Sequence, residues 1–549
     1  MPDRVLQLDA RDNVLIALAD LHRGEQVRFR ERTFTLPSDV PAKHKFAIAD
    51  LPAGANVVMY GVLVGTAITA IHEGEKLTPL NVRHQAFGIR EKSGEYRWNP
   101  PDVSPWKQRT FLGYHRSDGQ VGTRNYWLVV PLVFCENRNV EALRQAFEEE
   151  LGFATPGVYR RQVARLASLY RAGKTDEVDL GADEQGSAEV QSKRLFENVD
   201  GVRFLAHQGG CGGTREDSET LCGLMAGYIH HPNVAGATVL SLGCQNAQIG
   251  MLREQISKRN PNFSKPLIVL EQQQSGSEFA MLSEAIQKTF AGLIEANRST
   301  RTPAALSNLC VGLKCGGSDG FSGISANPAI GHTADLLVAL GGRAILSEFP
   351  ELCGAEQQFI ERSVSHEIGA RFAQLMSNYQ TRAHSVGAGF EMNPSPGNIR
   401  DGLITGAMKS AGAAKKGGTS PVTAVLDYPE YSTQAGLHLQ CTPGNDVECV
   451  TAQVGAGANL VLFTTGLGTP TGNPIAPVVK LSSNSRLAQR MEDIIDCDTG
   501  EILSGGKTIP QMGGEILDLV IRVASAEVRT KAELNGQHDF IPWKRGISL

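Results

Sequence analysis

Three cysteines in glycine-rich surroundings are the side chains of this chain best suited to bind a metal. Cys211 lies between two glycine pairs, Cys244 follows a predicted strand and a glycine, and Cys315 precedes two glycines. Thiolates select soft metals such as iron or zinc, and three of them leave one coordination position open for a substrate. No two are spaced as Cys-x-x-Cys, so each could instead be a small buried residue. We predict a shared metal site, holding either a single ion or an iron–sulfur cluster.

Three other side chains near these cysteines are candidates for proton transfer. His207 lies four residues before Cys211 and could be a ligand, a base or a structural histidine. Lys314 and Asp319 flank the glycine turn that contains Cys315. A lysine at the end of a strand can orient a carboxylate, and an aspartate there can accept a proton or bind a metal. A solvated lysine and a turn-capping aspartate are the alternative interpretation.

Polar side chains at strand ends and in the adjoining loops are candidates for binding a substrate. Ligands collect beyond the carboxyl ends of parallel strands, because the loops converge there and helix N-termini supply N–H donors. Arg124 and Asn125 precede an apolar strand and could clamp a carboxylate, with a salt bridge at the rim as the alternative. The other polar candidates suit a small polyhydroxylated acid, and they are Ser318, Asn327, Glu348, Asn398, Thr464 and Thr465.

The elements that must position these side chains follow α/β patterning after residue 200. Aliphatic runs end in glycine, cysteine or polar residues and alternate with amphipathic helices, which is typical of parallel strands. A helix is predicted over 327–340, with a proline near its start and glycines at its end. Strands are predicted at 237–242, 266–270, 309–313, 343–347, 422–426, 459–464 and 478–481.

The N-terminal region has a different pattern. Residues 1 to about 90 alternate apolar and polar positions in short runs between proline and glycine turns, which predicts a small β-rich module. A stretch with three prolines and few aliphatics comes next and is typical of a linker. We therefore predict a β module over 1–92, a linker over 93–107, a first α/β domain over 108–300 and a C-terminal α/β domain over 301–549, both with mostly parallel sheets.

Composition narrows the classes of function. Lys and Arg total 53 and Asp and Glu 58, a net charge of −5 over 549 residues, so there is no global electrostatic case for binding nucleic acid or an anionic membrane. The strongest apolar run, 126–134, is far shorter than the roughly 20 residues of a membrane span. Phosphate-binding, dinucleotide-binding and serine-elbow motifs are absent from the sequence. We expect a cytoplasmic protein that acts on a small molecule.

Several longer segments together resemble the altronate dehydratase and galactarate dehydratase family. The N-terminal module looks like the SAF (antifreeze-like, β-clip) domain of that family, through residues 44–47 and 60–65. The chain departs from the pattern of many family members at two places. Only Asn81 remains of a His-x-His-Asn segment, and Gln245 replaces the glutamate of a Gly-Cys-Glu segment. The matching segments are 113–125, the Cys211 loop, 242–244, 315–319, 322–323, 326–328, 347–348, 393–398 and 463–470.

The resemblance implies a reaction. In this family a proton leaves carbon 2 of a sugar acid, the hydroxyl on carbon 3 departs, and the enol becomes a 2-keto-3-deoxy acid. Iron(II) is the expected metal, with manganese(II) as a substitute, and a homo-oligomer, namely a dimer, is expected. D-altronate is the first choice of substrate and galactarate the second. A sulfolactate sulfo-lyase is a weaker alternative, and a non-catalytic regulator that binds sugar acids is the alternative from another class.

Overall fold

The N-terminal module is built from short strands that pack onto the C-terminal domain. In this computed structural model, which describes residues 4–154, 158–174 and 194–548, Val57 and Val64 of the module share a core with Phe321, Ile324 and Met408. The β-rich module predicted from the sequence is confirmed. Its strands are β1 Val5–Leu6, β2 Val14–Ala17, β3 Gln26–Phe29, β4 Arg32–Thr35, β5 Lys45–Ala47, β6 Asn56–Met59, β7 Val62–Ala67 and β8 Val82–Arg83.

The segment predicted as a linker lies along the surface of the C-terminal domain. Ser93 donates from its hydroxyl to Glu361 at 2.9 Å, and Tyr96 donates from its hydroxyl to the Thr419 carbonyl at 2.7 Å. Further along, the Trp106 indole N–H donates to Asp518 at 2.8 Å. The segment is therefore attached by hydrogen bonds at several points.

The middle region forms a parallel sheet flanked by helices. Among the described residues, the strands of this sheet lie in the order β12-β11-β13-β14, and all of them are parallel. Every residue of the central strand β11 is buried, because helices cover both faces of such a sheet. The strands are β9 Thr110–His115, β10 Val121–Gly122, β11 Tyr126–Pro131, β12 Gly201–Phe204, β13 Val234–Ser241 and β14 Leu267–Glu271. The helices are α1 Asn137–Glu150, α2 Val158–Arg171, α3 Arg215–His230, α4 Ile249–Arg259 and α5 Glu278–Ala296.

The C-terminal region forms a larger parallel sheet, in the order β18-β19-β17-β16-β20-β21-β22 among the described residues. Its first strand, β15, instead pairs antiparallel with β9 and so joins the two regions. The strands are β15 Thr302–Ala305, β16 Cys310–Cys315, β17 Arg343–Leu346, β18 Val422–Leu426, β19 Gly436–Gln440, β20 Leu460–Thr465, β21 Val478–Ser482 and β22 Cys497–Asp498. The helices are α6 Ala326–Ala339, α7 Glu356–Arg362, α8 His366–Ser385, α9 Pro396–Arg400, α10 Gly406–Ala414, α11 Asp446–Gly455, α12 Ser485–Arg490, α13 Ile509–Ala524 and α14 Lys531–Leu534.

Helices α3 and α11 join the two sheets side by side. A Cβ atom on Gly227 would lie 2.1 Å from the Gly455 carbonyl oxygen, so the C-terminal ends of the helices touch only because glycine is present. Asp217 and Glu448, in their first turns, line one cavity. The helices therefore run in the same direction, and the carboxyl ends of both sheets face the same side of the molecule.

The predicted fold class is confirmed, and the predicted strands lie within a few residues of the observed ones. The helix predicted over 327–340 is α6. Among the described residues, no helix combines the length and the apolar character that a membrane span requires.

Candidate active site

A polar pocket of about 230 Å³ lies at the carboxyl edge of the seven-stranded sheet. We call it the lysine–glutamate pocket. Strand β16 delivers Cys315, the short 3-10 helix after β17 delivers Glu351, α10 delivers Lys409, and α11 delivers Asp446. Its polar lining comprises Cys315, Ser318, Glu351, Ser395, Asn398, Lys409 and Asp446.

Glu348 adopts a left-handed backbone conformation, with φ +70°, two residues after the end of β17. Its backbone N–H donates to the Thr442 hydroxyl at 3.0 Å, which fixes this turn. Such a conformation costs about 1–3 kcal/mol for a residue other than glycine, and it concentrates at functional sites. The turn places the Glu348 carboxylate between two lysines beneath the pocket.

Those two lysines are Lys314 and Lys416, and both are fully buried. Lys314 forms an ion pair with Glu348 and another with Asp446 at 2.9 Å. Lys416 contacts the other Glu348 oxygen at 2.5 Å and donates to the Cys315 sulfur at 2.7 Å. Both oxygens of Glu348 are therefore occupied by ammonium groups.

A second ion pair faces the pocket itself. The Lys409 ammonium lies 2.8 Å from Glu351 Oε1 and 2.9 Å from the Asn393 side-chain oxygen. It also donates to Asn398 Oδ1 at 3.3 Å. Lys409 is 8% exposed and Glu351 6% exposed, so both groups are buried but reach the pocket lining.

Burial and these charges set the protonation states. Burial raises the pKa of the Cys315 thiol to about 11, although Lys416 opposes the rise, so the thiol is neutral at pH 7. Burial alone would raise the pKa of Glu351, but the neighbouring lysines, Lys409 first, hold it well below its usual range. Burial opposes the charge of Lys314, but Glu348 and Asp446 outweigh it and hold its pKa well above the usual value.

Cys315, Glu348 and Glu351 have ligand atoms within 4.8 Å of one another, which makes them the only such His, Cys, Asp or Glu set in the described part of the chain. Three lysines already contact its two carboxylates. A dication would have to displace these ammonium groups and bind a neutral thiol. The set therefore does not fit the iron(II) that the resemblance implies.

Among the described residues, the three cysteines of the predicted metal site do not form one compact set of ligands. Cys315 is buried in the lysine–glutamate pocket, whereas Cys211 and Cys244 are exposed and lie just after strands of the four-stranded sheet. The three sulfur atoms do not form a set within 4.8 Å. Cys315 follows a strand of the seven-stranded sheet, so a site shared by all three cysteines stays a prediction.

Asp319 is fully buried and caps its own turn. Its Oδ1 accepts the backbone N–H groups of Phe321 and Ser322, at 3.2 and 2.9 Å. Its Oδ2 lies 3.1 Å from the ammonium group of Lys43, which comes from the N-terminal module. Asp319 is not part of the pocket lining, so its predicted acid–base role has no geometric support.

His207 is also buried, and both of its ring nitrogens are engaged. One nitrogen lies 2.8 Å from the Pro131 carbonyl oxygen, and the other accepts the Gly209 N–H at 3.0 Å. Burial lowers the pKa of His207 to about 4, so the ring is neutral at pH 7. His207 holds the loop of Cys211 in place, and the predicted catalytic role has no support.

Arg124 and Asn125 are structural residues. The Arg124 guanidinium forms a bidentate ion pair with Glu533, with N–O distances of 2.7 and 3.0 Å. The Asn125 amide donates to the carbonyl oxygens of Asn198 and Ala296. The predicted carboxylate clamp is therefore occupied by internal partners.

The remaining candidates divide into scaffold and lining. The Thr464 hydroxyl donates to Asn327 at 2.6 Å, and the Thr465 hydroxyl accepts the Gly468 N–H. Ser318 and Asn398 line the pocket, and the Asn398 amide donates to the Ser318 carbonyl at 2.7 Å. Asn327, Thr464 and Thr465 therefore belong to the interior scaffold and not to the pocket lining. Glu348, the sixth candidate, is the buried partner of two lysines.

The sequence predictions missed Glu351, Lys409, Lys416 and Asp446. A signal existed for Lys409, because it is the lone charged residue in the small-residue helix Gly406–Ala414. A charge inside such a helix is costly unless a partner of opposite charge is present. Glu351 lies three residues after Glu348 but carries no distinctive motif.

Comparison with known proteins gives matches along the whole chain. Residues 3–85 match the altronate/galactarate dehydratase SAF domain, residues 113–297 match the second domain of D-galactarate dehydratase/altronate hydrolase, and residues 306–548 match the C-terminal domain of D-galactarate/altronate dehydratase. The chain is 31% identical to the altronate dehydratases of Escherichia coli K12 and Bacillus subtilis 168, over 99% of each chain. It is 29% identical to the galactarate dehydratase (L-threo-forming) of Escherichia coli K12, over 96% of this chain and 94% of the relative.

Proposed function

Because this chain belongs to the altronate and galactarate dehydratase family, we propose that it is a hydro-lyase that converts D-altronate to 2-dehydro-3-deoxy-D-gluconate and water. The choice of D-altronate rests on two relatives named altronate dehydratase that match over the full length. Galactarate is the second candidate, at slightly lower identity to its relative.

The observation that carries the proposal is the Lys409–Glu351 ion pair in the lining of the pocket. A proton next to a carboxylate is very weakly acidic. Its removal requires a base within about 3 Å and a positive charge on the enediolate that forms. The pair supplies an ionised carboxylate and an ammonium group side by side, and both groups are buried.

The steps of the reaction rest on these two groups. Lys409, with the Asn398 amide and the Ser318 hydroxyl nearby, binds the substrate carboxylate and stabilises the enediolate. Glu351 accepts the proton from carbon 2. The bond between carbon 3 and its hydroxyl breaks, Glu351 returns the proton, and water leaves. The enol then tautomerises to the 2-keto acid.

Asp446 favours a hexonate over a hexarate. Asp446 lines the pocket, and its side chain is 28% exposed. It forms an ion pair with the Lys314 ammonium group at 2.9 Å. A carboxylate at the far end of a hexarate would meet this negative charge, whereas the terminal hydroxyl of a hexonate can donate to it. The lining therefore supports D-altronate ahead of galactarate.

The proposal also covers the metal, the oligomeric state and the cellular compartment. We propose iron as the metal, either as iron(II) with manganese(II) as a substitute or as an iron–sulfur cluster, and a homodimer in the cytoplasm. Bound iron would supply Lewis-acid chemistry. The Cys315 set of the lysine–glutamate pocket does not fit the ion, so none of the steps above is assigned to it. Light scattering on the purified chain tests the dimer, and a monomer at micromolar concentration would contradict it.

The substrate is tested with the full-length chain, loaded with iron(II) without oxygen and incubated with a panel of hexonates and hexarates. We expect a 2-keto-3-deoxy acid from D-altronate at the highest kcat/KM. Faster turnover of a hexarate than of any hexonate would reverse the substrate order. Tight binding of hexonates without product would favour the non-catalytic regulator.

A further inference from the structure

Three cysteines differ from the others in exposure and position. All ten cysteines lie within the described residues, and Cys135, Cys211 and Cys244 are the exposed ones. Burial raises the pKa of several others, that of the Cys441 and Cys449 thiols to about 12. The exposed three therefore offer accessible sulfur atoms, which a buried neutral thiol does not.

Each exposed cysteine lies in the loop that follows a strand of the same sheet. Cys135 comes after β11, Cys211 after β12 and Cys244 after β13. These strands are neighbours in the order β12-β11-β13, and all are parallel. Because adjacent strands lie about 4.8 Å apart, their carboxyl ends span about 10 Å. We call the loops 132–136, 205–214 and 242–248 the cysteine edge.

Backbone hydrogen bonds hold these three loops against one another. The Phe134 N–H donates to the Gly209 carbonyl at 3.1 Å, which joins the turn of Cys135 to the loop of Cys211. The N–H groups of Asn246 and Ala247 donate to the Gly210 carbonyl at 2.9 and 3.1 Å, which joins the loop of Cys244. Cys135 and Cys211 thus adjoin residues that hydrogen-bond between the loops, and Cys244 lies two residues from one.

Gly210 makes this approach possible. It has φ +97°, and a Cβ atom there would lie 2.1 Å from the Leu132 carbonyl oxygen. His207 fixes the same loop through its contact with the Pro131 carbonyl. The Gln245 side chain accepts the Gly243 N–H at 2.6 Å and so shapes the turn that contains Cys244. Gly210, His207 and Gln245 therefore fix the loop conformations of the cysteine edge.

We propose that Cys135, Cys211 and Cys244 hold an iron–sulfur cluster through their three thiolates. Sulfur ligands around one tetrahedral ion with bonds of about 2.3 Å lie about 3.8 Å apart. The three cysteines form no set within 4.8 Å in the described chain, which suits a cluster with several irons better than a single ion. Soft thiolate donors and the family's expected iron are chemically matched.

Three thiolates leave one iron of a four-iron cluster without a protein ligand. Cys211 lines a cavity of about 510 Å³, together with Gln208, Asp217, Trp543 and Lys544. The cavity lies at the carboxyl edge of a parallel sheet, where ligands bind in such folds. An iron without a protein ligand could take a carboxylate or hydroxyl oxygen of a hydroxy acid, and the place of Cys211 in this lining would give such a ligand access.

This inference goes beyond the proposed function, because it assigns the iron to a cysteine set that includes Cys135 and excludes Cys315. It is tested by metal content and spectroscopy, so a failure of the proposed substrate would not affect the result. The full-length chain is reconstituted with iron(II) and sulfide without oxygen. We expect about four irons and about four acid-labile sulfides per chain, and an electron paramagnetic resonance signal after reduction.

Serine variants identify the ligands. Cys135→Ser, Cys211→Ser and Cys244→Ser should each lower the bound iron and sulfide at least about fivefold. Their circular dichroism should be unchanged, and their melting temperature should equal that of the metal-free wild-type chain. Cys315→Ser tests the rival cysteine, and Cys353→Ser is the control on a half-buried thiol elsewhere; both should keep the cluster. Wild-type protein that binds no iron, or one ion without sulfide, would overturn the proposal. A cluster that survives Cys135→Ser or is lost in Cys315→Ser would overturn it too.

Discussion

The carboxyl edges of the two sheets face the same side of the molecule but carry opposite kinds of chemistry. In the lysine–glutamate pocket, buried charges neutralise one another in pairs, as Lys409 does with Glu351. At the cysteine edge, exposed thiols lie on loops joined through the backbone. The first arrangement suits an anion and proton transfer, and the second suits a soft metal. One fold thus presents two different sets of side chains at the ends of its strands, and we propose that they serve two chemistries.

The two edges also differ in how function couples to stability. Removal of one partner from a buried ion pair leaves an unpaired charge and costs about 3–5 kcal/mol. Substitution of an exposed side chain that makes no special contact changes stability by about 0.5 kcal/mol or less. Variants in the pocket should therefore affect both activity and stability, whereas variants at the cysteine edge should affect function alone.

Lys409→Met should have the largest effect. Loss of the ammonium removes the charge that stabilises the enediolate, so kcat should fall by at least about 10³-fold. It also leaves Glu351 buried without its partner, so the unfolding free energy should fall by about 3 kcal/mol. Steady-state kinetics and urea denaturation measure the two effects.

The double variant Lys409→Met with Glu351→Gln is the matched control for that result. It removes both charges and should recover most of the lost stability while staying inactive. A stable Lys409→Met protein with near-normal kcat would show that the pocket is not the reaction site.

Glu351→Gln should lower kcat by about 10²-fold or more, because the amide cannot accept the proton from carbon 2. The loss of stability should be smaller than for Lys409→Met, since Lys409 keeps the Asn393 and Asn398 side-chain oxygens as acceptors. Glu356→Gln is the control, on a buried glutamate outside the pocket lining. Equal activity of the two variants would remove Glu351 from the mechanism.

Asp319→Asn should act mainly on stability. The substitution weakens the acceptor of several donors and the ion pair with Lys43, and we expect a loss of about 1–3 kcal/mol. Turnover per folded molecule should change by less than about tenfold, because Asp319 does not reach the pocket. A drop of about 10²-fold in kcat with unchanged melting temperature would instead restore Asp319 as an acid–base group.

His207→Gln should change how stability depends on pH. Burial lowers the pKa of His207 to about 4 in the folded state, against about 6.5 when unfolded. Its neutral form therefore contributes stability above pH 6.5 that is lost as the pH falls from 6.5 towards 4. The variant should lose less stability over this range than the wild-type chain, in urea titrations at each pH. Identical pH slopes would show that His207 is not held neutral by burial.

The sequence predicted the fold better than the site, for a physical reason. The strand that ends at Cys315 is a local aliphatic run, and its pattern places it in a parallel sheet without knowledge of its neighbours. The partner of Glu351 lies 58 residues away in α10, and that of Asp319 lies in the N-terminal module. Such pairings arise from tertiary packing, which a local pattern does not encode.

The cysteines show the same limit. Cys211 and Cys244 can be recognised as candidate ligands by their glycine neighbours, and Cys315 has glycine neighbours too. Cys135 lacks glycine neighbours, so only the order of the strands shows that it lies beside the other two. Strand order in a parallel sheet depends on crossover connections and is not visible in one strand's sequence.

The central claim is that proton transfer and iron binding belong to different sheet edges. The most direct test measures bound iron and kcat together in Lys409→Met and Cys135→Ser. We predict that Lys409→Met keeps the full iron content of the wild-type chain while its kcat falls by at least about 10³-fold, and that Cys135→Ser loses its iron while it stays folded. Loss of iron in Lys409→Met, or full iron in Cys135→Ser, would contradict this division.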